Sequence, residues 1–120
     1  MKINSRLHGA IDYGMAIFLV FSPEVFNLPP FTANFTYALG IIHLILTAIT
    51  KSEAGILRWI PFRIHGIIEL LVSVLLIVFA FYLGEIEGML PKIFYIAFGA
   101  AVLIVWAITD YKSVRIRHHI

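Results

Sequence analysis

The sequence predicts an all-α integral membrane protein, a four-helix bundle built from two tandem two-helix repeats related by a parallel pseudo-twofold axis. Three observations predict it. Hydrophobic residues make up 61% of the chain and the mean hydropathy is +0.95, beyond what a water-soluble domain of 120 residues carries. Four segments approach the about 20 residues needed to cross a bilayer core. The polar pattern of the first half also recurs in the second.

The four segments are Asn4 to Ser22, Asn34 to Thr50, Phe62 to Gly84 and Pro91 to Thr109. The charge-free runs within the first and third, Tyr13 to Pro23 and Leu70 to Gly84, are only 11 and 15 residues long. Each reaches spanning length only if the polar block before it, "RLHGAID" at Arg6 to Asp12 or "RIHGIIE" at Arg63 to Glu69, is helical and partly inside the membrane. A cleaved signal peptide is the competing reading of the first segment. The embedded Asp12, the lack of a small-x-small cleavage site and the recurrence of the block oppose it.

Between the first two spans, "SPEVFNLPPF" carries Pro23, Pro29 and Pro30, which should end the first helix and hold an irregular apolar segment. The linker "KSEAGILRWIPF" offers Ser52 as a helix cap. Its Ile56, Leu57, Trp59 and Ile60 surround Arg58 as an interfacial segment would. Pro61 and Pro91 suit the first turns of the third and fourth helices, where a missing N–H costs nothing. Residues 1–120 thus read as one transmembrane domain: repeat one at about 4–50, an interfacial linker at 51–61, repeat two at about 62–110 and a basic tail at 111–120.

Charge sets the expected orientation. Lys2, Arg6, Lys51, Arg58, Arg63, Lys112, Arg115 and Arg117 fall on one side of this topology and only Lys92 on the other. The positive-inside bias places both termini and the central linker in the cytoplasm of a cell (inner) membrane, with Glu85 and Glu87 facing out. The net charge of +2 comes from residues flanking apolar segments, so the partner it implies is the lipid bilayer and not nucleic acid. The chain has no cysteine, which excludes disulfides, thiolate metal sites and cysteine nucleophiles.

The duplication is explicit. Arg6, His8, Gly9, Ile11 and Asp12 map onto Arg63, His65, Gly66, Ile68 and Glu69 at an offset of 57. Phe35, Ala38, Gly40 and the "AIT" ending at Thr50 map onto Phe94, Ala97, Gly99 and the "AIT" ending at Thr109 at an offset of 59. Two spans per unit give both units the same topology, hence an axis along the membrane normal.

With "RLHGAIDYGMAIFLVFSPEVFNL", "AITKSEAGILRWIPFRIHG" and "AITDYKS", nearly the whole chain resembles the SPW-repeat family, small bacterial multi-pass membrane proteins in which a two-helix unit occurs twice. The Ser-Pro-Trp triplet stands here as Ser22-Pro23-Glu24, and the second unit has Phe79-Ala80-Phe81 at that place. The resemblance implies a four-helix membrane fold; it implies no activity.

The chemistry must come from the embedded polar groups. His8 and Asp12 are four residues apart, as are His65 and Glu69, so each pair shares a helix face and can form a charge-assisted hydrogen bond. At about 1.5 Å per residue, Asp12 and Glu69 lie roughly 9 Å inside the cytoplasmic end and His43 about 10 Å. All of them should point into the bundle, since a carboxylate facing lipid there would cost roughly 2–3 kcal/mol.

Three readings follow. In the first, His8, Asp12, His43, His65 and Glu69 are packing clamps in one central cluster, beside Gly9, Gly66, Gly40 and Gly99, which let helices approach closely. In the second, the cluster handles protons or ions. In the third, His8, Asp12, His65 and Glu69 ligate a transition metal. The first carries the expectation: a binding, accessory or structural membrane component with no cofactor, and with an ion or small-molecule ligand unspecified. No enzyme is expected, because the chain has no phosphate loop, nucleophile elbow or zinc-protease motif. His118 and His119 read as a tail, and self-association into a homo-oligomer is left open.

Overall fold

The computed structural model describes residues 2–114. Four helices make up most of it: α1 (Ser5–Val25), α2 (Pro30–Ile49), α3 (Phe62–Glu87) and α4 (Met89–Ile108). They lie side by side in a body of 52 × 25 × 19 Å, an arrangement compatible with a bundle, with α1 packed chiefly on α2 and α3 chiefly on α4.

Local chemistry fixes the ends. Asn4 caps α1 by accepting the Leu7 N–H at 2.9 Å. Pro23 does not stop this helix, as the proline pattern led us to expect. It sits in the last turn, where its missing N–H removes only one bond, and the chain closes around it through Phe26 N–H on the Ser22 carbonyl (2.9 Å) and Leu28 N–H on the Pro23 carbonyl (3.0 Å). Asn27, at φ 51, then reverses the chain. The irregular segment is therefore shorter than expected, and α2 starts at Pro30, four residues ahead of Asn34.

The turn between α3 and α4 is Gly88 alone, at φ 98, a conformation that a side chain would strain. This brings Glu87 over the start of α2, which has no cap of its own. Glu87 accepts the N–H groups of Phe31 (3.0 Å) and Thr32 (2.6 Å) and the Thr32 hydroxyl (2.6 Å), so the carboxylate lies where the helix dipole is positive. Glu87→Ala should therefore speed amide hydrogen exchange at Phe31 and Thr32 while leaving the middle of α2 unchanged, a comparison that residue-resolved exchange makes directly.

The linker is neither helical nor capped by Ser52, which is buried with its N–H on the Thr50 carbonyl at 2.9 Å. Two short parallel pairings replace the expected all-α connection. Thr50–Lys51 (β1) pairs with Ile60–Pro61 (β2), and Ile3 bridges to Thr109. The second is closed by Ile3 N–H on the Ile108 carbonyl (2.7 Å) and Asp110 N–H on the Ile3 carbonyl (2.9 Å). Pro61 precedes α3 instead of entering its first turn.

The interior and the outside exchange their usual characters. Leu19, Leu76, Ala80, Leu83, Tyr95, Phe98 and Val102 form an apolar core, yet His8, Asp12, Thr32, Thr36, His65 and Ser73 are buried as well. Meanwhile Phe21 and Leu75 are each 63% exposed, two among many large apolar side chains on the outer face. Water penalises such a surface; lipid does not. α2, α3 and α4 are each long and apolar enough to cross a membrane. α1 has 21 residues but is the least apolar of the four, since Arg6, His8 and Asp12 occupy its first half. The expectation of four spans is met on length and composition by three helices.

Candidate functional site

The N-terminal halves of α1 and α3 and the ends of α2 and α4 meet at the same end of the molecule, where both short pairings lie. Four spacing of His8 and Asp12 on α1, and of His65 and Glu69 on α3, turns both pairs inward. His8, Asp12, His65 and Glu69 are all buried, and each offers one ligand atom within 4.8 Å of the other three. His8 Nε2 lies 2.8 Å from Glu69 Oε1 and 3.1 Å from Asp12 Oδ2. His65 Nε2 lies 2.8 Å from the same Glu69 oxygen and 3.0 Å from the same Asp12 oxygen. Each histidine thus faces the carboxylates of both helices.

His43 of α2 joins from the side, its Nε2 3.5 Å from Asp12 Oδ1 without hydrogen-bond alignment. Both atoms are buried and lack a hydrogen-bond partner among the described residues.

Around this centre stands an outer set of groups. His8 Nδ1 is 2.7 Å from the Thr109 hydroxyl, just past α4, and His65 Nδ1 is 2.7 Å from the Thr50 hydroxyl, just past α2. The Tyr111 hydroxyl donates to Glu69 Oε2 at 2.9 Å. Burial, and then the neighbouring Glu69 carboxylate, push the Tyr111 hydroxyl well above its ordinary pKa, so it remains a donor. The sequence reading places Thr50 and Thr109 at the ends of spans and Tyr111 in the tail without making any of the three a site member; the two threonines are the C-caps of α2 and α4. The signal that points to Thr50 and Thr109 is the duplicated "AIT".

The threonines settle how the histidines are protonated on that side. Thr109 Oγ1 lies 2.5 Å from the Val105 carbonyl and Thr50 Oγ1 lies 2.5 Å from the Leu46 carbonyl. A carbonyl has no proton to give, so each hydroxyl spends its only hydrogen there. Each hydroxyl oxygen must then accept from histidine, which puts a hydrogen on Nδ1 of both rings and turns both Nε2 atoms toward the carboxylates.

The four glycines divide into two kinds. A Cβ on Gly40 would press on Val20, Leu19 and the Ala16 carbonyl of α1, and one on Gly99 on Ile77 and the Ser73 carbonyl of α3, so both permit helix-on-helix contact. Gly9 and Gly66 do something else. Gly9 faces Ala54 of the linker and Gly66 faces the Tyr111 ring, so neither brings α1 against α3 as expected. The linker and the segment after α4 fold over the helix ends and need the space.

The centre is enclosed. Phe62 is buried with its ring against His8, His65 and Tyr111 at centroid separations of 5.4, 5.8 and 4.8 Å, and beyond it Ser5 donates to Glu53 at 2.6 Å. On the other side a cavity of about 30 Å³ touches Glu69 and His43 but is otherwise walled by Leu19, Leu46, Leu76 and other apolar side chains. The core then closes on Tyr95, which hydrogen-bonds Thr36 at 2.5 Å.

Compared with known proteins, the chain matches no family model, no curated protein and no solved structure.

Proposed function

We propose that the chain is an integral membrane component with a structural or binding role, in which a sealed polar centre ties the helices together at the cytoplasmic end. The enclosure of His8, Asp12, His65 and Glu69 carries this reading: a conducting path requires hydrated polar groups continuing through the bundle, and here apolar side chains lie beneath the cluster. α1 belongs to the same membrane-embedded body, its polar half sheltered by the other three helices.

The halves are two copies of one helical hairpin related about the membrane normal, in the layout of the SPW-repeat proteins. Two like pairs of contacts support this. Ile3–Thr109 and Ile60–Thr50 correspond at the sequence offsets of 57 and 59, and so do His8–Thr109 and His65–Thr50. The linker, whose Trp59 is 71% exposed, then lies at the headgroup layer on the cytoplasmic side with both termini.

The cysteine-free chain makes the test clean. In intact cells, Ile56→Cys in the linker should resist an impermeant thiol reagent and Glu85→Cys, at an exposed position, should react. Purified protein in liposomes should add no proton or cation flux over empty vesicles. Flux abolished by Asp12→Asn would overturn the sealed-centre reading in favour of ion handling, and release of the chain by alkaline carbonate would overturn the membrane assignment.

A further inference from the structure

We propose that His8, His65, Asp12 and Glu69 bind a single divalent transition-metal ion of the zinc class through the two Nε2 atoms and one oxygen of each carboxylate. This deepens, and rests on, the reading of the cluster as a closed binding centre.

The hydrogen-bond inventory leads there. With Nδ1–H of both rings committed to threonine, the two Nε2 atoms can meet the carboxylates by carrying a second proton each, by accepting from a protonated carboxyl, or by sharing a cation. Protons serve this geometry poorly. Both Nε2 atoms are aligned for hydrogen bonding with the same oxygen, Glu69 Oε1. Asp12, 1% exposed, stands a little farther from both rings, at 3.1 and 3.0 Å, and its Oδ1 has no hydrogen-bond partner among the described residues. A buried carboxylate in that state is costly.

One ion among the four donors serves both carboxylates at once, and a divalent charge balances Asp12 and Glu69 against two neutral imidazoles. Four nitrogen and oxygen donors suit tetrahedral zinc, whose bonds of about 2.0–2.1 Å place donors roughly 3.3 Å apart. Of the six donor-to-donor edges of a tetrahedron, the four N···O separations, 2.8–3.1 Å, need to open by a few tenths of an ångström, while the N···N and O···O pairs, which lie within 4.8 Å, close around the ion.

The outer set strengthens the assignment, because metal-binding histidines hold their second nitrogen on an acceptor and ligating carboxylates are themselves braced. Thr109 accepts from His8, Thr50 accepts from His65 and Tyr111 donates to Glu69. Beside the spare Asp12 oxygen stands His43. Each of the four ligands thus has a polar neighbour behind it, three of them from positions past the helix ends.

The test uses the full chain with His118→Ala and His119→Ala, which removes the tail histidines as competing ligands. After chelator treatment in detergent and reloading with Zn²⁺, elemental analysis should find about one zinc per chain. Loading with Co²⁺ instead should give the intense visible d–d absorption of tetrahedral coordination. Thr109→Val, which keeps all four ligands, should weaken Zn²⁺ binding about 10- to 100-fold, and His8→Ala should abolish the cobalt spectrum. Protein that is helical and monodisperse yet retains no zinc, or that binds zinc equally well in wild type and His8→Ala, overturns the metal assignment. Those readouts are independent of flux and carbonate extraction, so a sealed membrane bundle without metal and a metal protein outside the membrane give different results.

Discussion

Asp12→Asn should destabilise the folded chain by about 3–5 kcal/mol, the range for removing one partner from a buried charged pair. The substitution preserves shape and removes charge, and Asp12 has three histidine nitrogens within 3.5 Å. Those nitrogens are buried, and the substitution leaves them facing a neutral amide. Glu69→Gln should cost a comparable amount, because Glu69 Oε1 meets both rings at 2.8 Å and Oε2 holds Tyr111. The double variant should cost less than the sum of the two, with a coupling of about 0.5–3 kcal/mol, since both carboxylates act on the same two imidazoles. Thermal denaturation of the four proteins in one detergent measures this cycle. Strict additivity would mean that α1 and α3 carry separate His–carboxylate pairs, contrary to the cross-helix distances.

The second large effect comes from a glycine. Gly99→Val should destabilise by about 1–3 kcal/mol, the usual cost of overpacking. The atoms that a Cβ would meet include the Ser73 carbonyl at 3.0 Å, which is helix backbone and cannot swing aside, as well as Ile77 Cγ1 at 2.7 Å. Gly14 offers the opposite sign within the same fold. It is helical and a Cβ there meets nothing within 4 Å, so Gly14→Ala should stabilise by about 0.5–1 kcal/mol through helix propensity alone. Both are read from unfolding midpoints in the same micelles, and equal effects of the two would contradict the packing described.

The contrast between these glycines marks what the sequence makes legible. Spacing shows that Gly9, Gly40, Gly66 and Gly99 recur in pairs, but it cannot say what covers each one. The linker and the segment after α4 lie over Gly9 and Gly66, and those segments have no periodicity to read. The cluster was more accessible. Counting residues inward put Asp12, His43 and Glu69 at one depth, and His43 Nε2 stands 3.5 Å from Asp12 Oδ1. Helix spacing does not reveal that His8 reaches Glu69 at 2.8 Å, since that contact depends on how α1 and α3 sit relative to each other. Thr109 was harder still, 101 residues from the histidine it serves. Helix boundaries slipped where proline was weighed without its surroundings: Pro23 falls inside a last turn that reseals around it, and Pro30 begins α2 with a cap borrowed from Glu87.

The backbone pairing of Ile3 with Thr109 makes the same kind of joint as that of Thr50 with Ile60, although only the second lies across a covalent connection. Each joint holds the entry to one hairpin against the exit of the other, so backbone alone laces the two hairpins together at the end that carries the cluster.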